Sequence, residues 1–435
     1  MTRCLLAVIT LFGLCGIATA QDTPVNFAEH VAPIIFDKCA ACHRPDEVGP
    51  FSLLTYSDVR KKAKIIQRVT EQRSMPPWHP EHGHGEFRNE RRLNDAQIAT
   101  IKRWVESGMA EGDVAKLPKL PAFPAGWQLG KPDLVVTMDR AFQVPATGRD
   151  IYRNFVLPLN LKEDKWVTAV ELRPSARSVV HHVLYFLDTT GKSRAKEPKT
   201  GQPGFGGAGL QFGARSVGGW AAGRTAEHLP LDLGLHFPKG SDLILASHFH
   251  PSGKAEQEKT TVGLYFAKKK PERTHIVFQA PPFFGIAAGI NIPAGKKDYK
   301  VRAKHKVPVD IELVTIHGHA HYICRTMKAV ATLPDGSTKS LISIPKWDFN
   351  WQDSYTYKEP VKLPKGTTID VELTYDNSAD NAANPFNPPK QIRWGQQSTD
   401  EMGSIIFGCV AANESEVGAL RKSSLGLPFK LKQPN

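Results

Sequence analysis

The sequence predicts a multidomain chain in which a small all-α module is followed by two all-β sandwiches, and three observations carry that reading. Residues 27–111 place apolar side chains at helix-like intervals. A proline-dense run, Lys116-Leu117-Pro118-Lys119-Leu120-Pro121-Ala122-Phe123-Pro124, then breaks the pattern, and beyond it come short β-branched or alternating runs separated by turn signals. At 435 residues the chain has room for two or three hydrophobic cores, and roughly three hundred β-type residues are too many for one ordinary sandwich.

Residues 1–20 carry Arg3, an apolar stretch over 5–17 and Ala18-Thr19-Ala20 ahead of Gln21. This is the pattern of a cleavable signal peptide, too short to span a bilayer. Cys15 raises the question of a lipoprotein, but Leu14 stands before it where a small residue is needed. No later apolar run is long enough to cross a membrane, so the mature chain is expected to be secreted and periplasmic, without stable membrane insertion. Loss of Arg3 lowers the formal charge from +13 to +12, and the basic residues are dispersed, in runs no longer than Lys268-Lys269-Lys270. Export and dispersal argue against nucleic acid; a solvated basic surface, an acidic redox partner or an anionic substrate accounts for the excess.

The helical segment holds Cys39-Ala40-Ala41-Cys42-His43. C-x-x-C-H is the spacing at which two thiols attach a haem covalently and the next histidine ligates its iron. Export favours that reading over a C-x-x-C redox pair or half of a zinc site, and so does Met75, in Ser74-Met75-Pro76-Pro77, where a small cytochrome places its second axial ligand. A thioether opposite a histidine raises the haem potential, which suits a relay. His79, His82 and His84 lie close enough in sequence to substitute for Met75. With helices expected over 56–72 and 95–108, residues 21–114 read as a cytochrome c-like domain carrying one covalent haem c, and 115–130 as a semi-rigid linker.

The β part divides into sandwiches at 131–276 and 277–425 with a tail at 426–435; a Gly-rich stretch, 200–224, reads as a surface loop in the first. Cys4 and Cys15 leave with the leader and two cysteines are committed to haem, so an oxidising compartment makes a disulfide between Cys324 and Cys409 the expectation. Histidines concentrate at His181-His182, His248-Phe249-His250 and His317-Gly318-His319-Ala320-His321. H-x-H on a strand projects both imidazoles from one face, whereas adjacent His181 and His182 share a face only at a strand end, twist or bulge. Isolated His228, His236, His275 and His305 read as ordinary core or surface residues. Imidazole clusters joined by a thioether, with no thiolate, lean toward a copper that cycles through Cu(I).

The order His181-His182, His248, His319-x-His321 and Thr399-Asp400-Glu401-Met402 resembles the copper type II, ascorbate-dependent monooxygenases, the group of peptidylglycine and dopamine hydroxylases, over about 132–425. The resemblance implies two jelly-roll-like copper domains. His181, His182 and His248 would hold an electron-transfer copper, and His319, His321 and Met402 an oxygen-activating one. It also implies hydroxylation of a C–H bond of a small organic substrate with O2; with the haem module joined to it, the haem is expected to take the place of ascorbate, supplied by a periplasmic donor. Peptide-processing members carry an arginine two residues before the H-x-H and an asparagine and tyrosine after the methionine. Here those places hold His317, Ser404 and Ile406, which argues against a glycine-extended peptide. His250 and His317 remain as spare ligands or outer partners. A haem-fused nitrite reductase or multicopper oxidase would need a cysteine thiolate between histidines, and Cys324 has no following histidine in ligand spacing. A non-catalytic copper or electron-relay protein on the same scaffold differs only in forming no product.

Overall fold

Three apolar clusters organise the chain, one for each change of sequence texture. The computed structural model describes residues 24–45, 47–123, 126–206, 215–221, 224–230 and 232–424. The leader, part of the Gly-rich stretch and the tail therefore lie outside the described residues.

The N-terminal module packs helices Ala32–Lys38, Tyr56–Glu71 and Asp95–Glu106 around Phe27, Ile35, Ile101 and Trp104. Thr55 accepts from Asp58 N to start the second helix, and Asn94 with Gln97 forms a reciprocal capping box on the third; both satisfy backbone donors that have no partner within the helix. Val59, Ala63, Ile66 and Thr70 recur at three- and four-residue steps and are the buried stripe of the second helix.

The first sandwich pairs a four-stranded sheet, in the order Leu134–Thr137, Thr261–Phe266, Lys165–Arg173, Leu235–Phe237, with a five-stranded sheet. The latter runs Phe205–Gly206, Ile151–Pro158, Asp242–Phe249, Val180–Asp188, Arg215–Ala221. Asp242–Phe249 is its central strand and is buried at every position, so it can hold a side chain with no route to water. The second sandwich has the order His275–Ala280, Gly403–Ala411, Ile311–Ala320, Ser354–Leu363 in one sheet and Tyr299–Lys306, Thr368–Tyr375, Cys324–Thr332, Thr338–Ile344 in the other. Pairing is antiparallel throughout the named strands. Leu233 of the first sandwich packs with Val314 and Val410 of the second, joining the two cores.

The disulfide expected between Cys324 and Cys409 is not formed: both are buried free thiols. Cys409 lies in the sheet containing Gly403–Ala411 and Cys324 at the start of a strand of the opposite sheet. Packed sheets stand about 10 Å apart, beyond the Cα separation of about 4.4–6.8 Å that a disulfide spans.

Part of the segment grouped by sequence with the helical module packs elsewhere. Phe87 bridges to Tyr357 and sits in the core of the second sandwich, with Trp78 and Tyr355 against it. Glu81 N donates to Ser343 O, Arg88 N to Thr356 O and Lys358 N to Glu86 O, and Arg91 pairs with Asp353 at 2.5 Å. On the other side Arg177 of the first sandwich pairs with Glu47 at 2.5 Å. The helical module is thereby strapped to both sandwiches. Phe87→Ala should destabilise the protein by about 3–5 kcal/mol, the usual cost of emptying an aromatic core position, in a denaturant titration. Limited proteolysis should cut the variant first within residues 76–92.

Candidate metal centre

His182 and His248 are direct partners across adjacent strands, and a register shift between Val180 and His182 puts a bulge at His181. That irregularity turns His181 and His182 toward one side, as their adjacency requires. His181 Nδ1 lies 3.1 Å from His182 Nδ1, and His248 Nδ1 lies 3.4 Å from the same atom. The ligand atoms of the three residues all fall within 4.8 Å of one another, a spacing that one metal ion can bridge.

His319 stands near the end of the central strand Ile311–Ala320, opposite Ser404, and Met402 immediately precedes the neighbouring strand Gly403–Ala411. His319 Nε2 lies 3.1 Å from Met402 Sδ, and the His319 and His321 rings are 5.7 Å apart. The sequence assigned the two ligand sets to separate sandwiches; the fold brings them to one small pocket lined by His182, His248, His319, His321 and Met402. The His182 and His319 ring centroids are 5.9 Å apart, and Phe349 of the second sandwich stacks on His181 of the first at 4.5 Å.

Outer partners determine which nitrogen each imidazole presents. His319 Nδ1 meets Gln352 Oε1 at 2.5 Å, which leaves Nε2 on the Met402 sulfur, and His321 Nδ1 meets the Asp400 carbonyl at 3.2 Å, which leaves its Nε2 as the free donor atom. His248 Nε2 lies 3.1 Å from Asp150 Oδ2, an ion contact without straight hydrogen-bond geometry, and keeps Nδ1 for the cluster. Asp150 also accepts from His250 Nδ1 at 2.8 Å and from the Ser398 hydroxyl. Tyr152, stacked on His248 at 4.3 Å, reaches the same Ser398 at 3.2 Å. Ser398 belongs to the loop that carries Met402, so Asp150 ties the first ligand set to the second. His250 is an outer partner by this route. His317 is not among the described lining residues, Ser404 donates to Pro281 O at 2.6 Å, and Ile406 pairs with His317 in the sheet.

Asp150, Ser398, Gln352 and Phe349 were missed by sequence reasoning. Ser398 alone had a local signal, standing two residues before Asp400-Glu401-Met402; the others have no spacing that marks them.

Burial, reinforced by neighbouring imidazoles, lowers His181 to about 3, and burial lowers His319 to about 4 despite Gln352. The same desolvation holds His182, His248 and His321 below their ordinary value. Neutral imidazoles are the form that binds a metal. Burial disfavours the Asp150 carboxylate, but its bonds to His248, Ser398 and His250 outweigh that and hold its carboxyl well below the usual range. Glu401, buried beneath the loop, is pushed up to about 8 even though the His321 and Met402 N–H groups donate to it.

In the helical module, Cys39 and Cys42 are free thiols, burial pushing Cys39 up to about 12 and raising Cys42. His43 Nδ1 meets the Phe51 carbonyl at 3.1 Å, which orients the ring and leaves Nε2 as a potential iron ligand. Gly49 approaches so closely that a Cβ there would lie 2.8 Å from His43 Nδ1. A cavity of about 220 Å³ opens beside Ala41 and Cys42, between this module and Trp220 and Arg224 of the first sandwich. Met75 is half-buried after the second helix, its N–H on Val69 O, and no hydrogen bond among the described residues joins it to His43.

No family model matches the chain, and no curated protein matches it. Among solved structures it is similar to the major capsid protein P2 of bacteriophage PM2, at 10% identity over 64% of this chain and 97% of that one, with a TM-score of 0.28. It is also similar to a peptide-N(4)-(N-acetyl-β-D-glucosaminyl) asparagine amidase, at 10% identity, the same coverages and a TM-score of 0.28. Likeness this slight carries no argument about function. Among the described residues no helix is long and apolar enough to cross a membrane.

Asp150→Asn should weaken binding at the three-histidine set by about ten- to a hundredfold, the usual effect of losing an outer partner, and leave the His319, His321 and Met402 set close to its original affinity. Competitive titration with Cu(II) separates the two. Unfolding returns the buried histidines to a pKa near 6.5, so below that pH the unfolded chain binds more protons than the folded one. The five histidines together should therefore lower the melting temperature of the metal-free protein as pH falls from about 6.5 toward 4, whereas Glu401 and the buried thiols, raised by burial, cost stability in the opposite direction as pH rises toward and past neutrality; scanning calorimetry on both sides of neutrality is the check.

Proposed function

We propose that the chain is an exported copper-dependent monooxygenase, an oxidoreductase that inserts one oxygen atom of O2 into a C–H bond of a small organic substrate. Electrons would enter through a haem c on the N-terminal module, from a periplasmic donor. The observation that carries this reading is the convergence of an all-imidazole set and an imidazole–thioether set on one buried pocket. Nitrogen donors joined by a soft thioether suit copper in both oxidation states, whereas a structural zinc has no need of Met402.

When bound, copper supplies one-electron redox chemistry and the reductive activation of O2, and haem supplies electrons singly. The chain's own residues do the rest. His181, His182 and His248 would hold one copper through Nδ1, and His319, His321 and Met402 the other through two Nε2 atoms and the sulfur. Asp150 and Gln352 keep the rings from turning, while Phe284 and Phe349 exclude water from the imidazoles. The thioether of Met402 favours the reduced metal. Cys39 and Cys42 would form the thioether links to haem, and His43 Nε2 and Met75 would ligate its iron.

The position of Cys324 weighs against a thiolate oxidase. Its thiol is buried, raised well above its ordinary pKa, and directed at the Thr326 carbonyl. His317, Ser404 and Ile406 offer no cation to a peptide carboxylate, so glycine-extended peptides should not be turned over. A non-catalytic relay would share the metal content and form no product.

Metal and haem analysis of the periplasmically expressed protein should give one covalent haem and two coppers per chain; zinc in place of copper, or a single copper after full loading, overturns the assignment. With labelled O2 and a periplasmic metabolite extract, the wild type should form labelled product and Met402→Ala almost none. His248→Ala should keep copper at the second set but slow oxidation of the reduced haem in rapid mixing. No product from the wild type, with haem and both coppers bound, would favour the relay.

A further inference from the structure

We propose that the pocket over His319 and Met402 takes an uncharged, apolar substrate, aromatic or aliphatic, admitted by displacement of the short segment Phe283–Ala288. The inference rests on the monooxygenase reading for its chemistry and on the pocket itself for its substrate class. Besides the imidazoles, the described wall consists of Leu184, Ala246, Phe284 and Met402, with Tyr152, Ser247 and Gln396 as polar members, the Tyr152 hydroxyl engaged by Ser398, and no Lys, Arg, Asp or Glu side chain. The nearest carboxylates are engaged elsewhere, Asp150 with His248, His250 and Ser398, and Glu401 with the backbone of His321 and Met402. A charged substrate would be stripped of water and offered no counter-ion, whereas an apolar one is favoured by the same desolvation.

The pocket has a volume of about 20 Å³, room for a water-sized molecule such as O2 but not for an organic substrate. Some part of the wall must therefore move. Phe283, Phe284 and Gly285 are consecutive residues at φ 51°, 53° and 89°. For two bulky aromatic residues this left-handed conformation is strained, and strain of this kind persists only where surrounding contacts impose it. Those contacts are Trp394 Nε1 donating to Phe284 O at 3.0 Å, Phe284 N to Gln279 Oε1 at 3.4 Å, Gly285 N to Pro282 O and Gly289 N to Ile286 O at 3.1 Å each, and packing against the strands Gly403–Ala411, His275–Ala280 and Tyr299–Lys306. The Phe284 ring stands 5.0 Å from His319, forming the wall directly over the second ligand set. Phe283 and Ile286 are each 45% exposed on the outer side. A strained lip with an aromatic ring inside and two apolar side chains outside can relax as it opens and can offer apolar contacts to what enters.

The test uses the full-length protein loaded with Cu(II), with toluene, benzoate and benzylamine as probes of nearly one shape and three charges. Toluene should shift the Cu(II) electron paramagnetic resonance spectrum saturably and raise the melting temperature of the metal-free protein, while the two ions at equal concentration do neither. Phe284→Ala should bind naphthalene about tenfold more tightly, through the space the ring vacates. Ile286→Ser, an exposed change that spares the fold, should weaken naphthalene by a few-fold. Benzoate or benzylamine binding as well as toluene, or no response to toluene in either measurement, overturns the proposal. Failure of the protein to bind copper would instead defeat the monooxygenase reading, and the melting shift of the metal-free protein would still decide the substrate class.

Discussion

An imidazole taken out of water tends to give up its proton, and here burial lowers five of them, His181, His182, His248, His319 and His321, even though Asp150 stands against His248. The neutral state they are forced into is the state that coordinates a metal. Neutral rings can also rotate and exchange tautomers, and partners on the outward nitrogen restrain this. Asp150, Gln352 and the Asp400 carbonyl do this for three of the rings. Their positions account for the shape of the loops around the pocket: the start of strand Ile151–Pro158, the turn before Ser354–Leu363 and the loop ahead of Gly403–Ala411 all converge there.

Because the ligand sets come from different sandwiches, the centre is only as well defined as the contact between them. That contact is both apolar and polar. Leu233 with Val314 and Val410 excludes water, while Phe349 stacked on His181 and Ser398 bonded to Asp150 and Tyr152 fix the relative placement of the two halves. A hydroxyl that donates to one side chain while accepting from another has little freedom to shift. Ser398 thus carries orientation from the first ligand set to the loop holding Met402.

The helical module joins this arrangement through its strap. Trp78 and Phe87 enter the second sandwich's core, and His79 packs beside Trp347, whose indole N–H donates to the His321 carbonyl at 3.2 Å. The cysteine–histidine motif and the buried pocket are therefore connected by packed side chains and an ion pair, Arg91 with Asp353, rather than by a loose tether. A proline-rich connection alone would not hold the helical module and the sandwiches in one orientation; the strap supplies what the linker lacks.

Much of this was legible in the residue pattern because it depends on local periodicity. The helices at Tyr56–Glu71 and Asp95–Glu106 and the change to β texture after the proline run follow from side-chain spacing and capping chemistry over a few residues, whereas the H-x-H expected on one strand face is only half on a strand, His319 lying near its end and His321 just past it. An irregularity at His181 was implied as well, a strand end, twist or bulge, and the structure resolves it as a bulge. Other features depend on distance through space, which sequence spacing does not encode. Phe87 lies within the helical segment yet belongs to a β core. Cys324 and Cys409 stand on opposite sheets and stay free, and Asp150 meets Ser398 across 248 residues. The sequence by itself determined which donors exist and which share a strand. Only the tertiary structure decided that both donor sets open on one pocket, which nitrogen each ring presents, and that the surrounding wall carries no charge, because those depend on how independently folded sheets pack against one another.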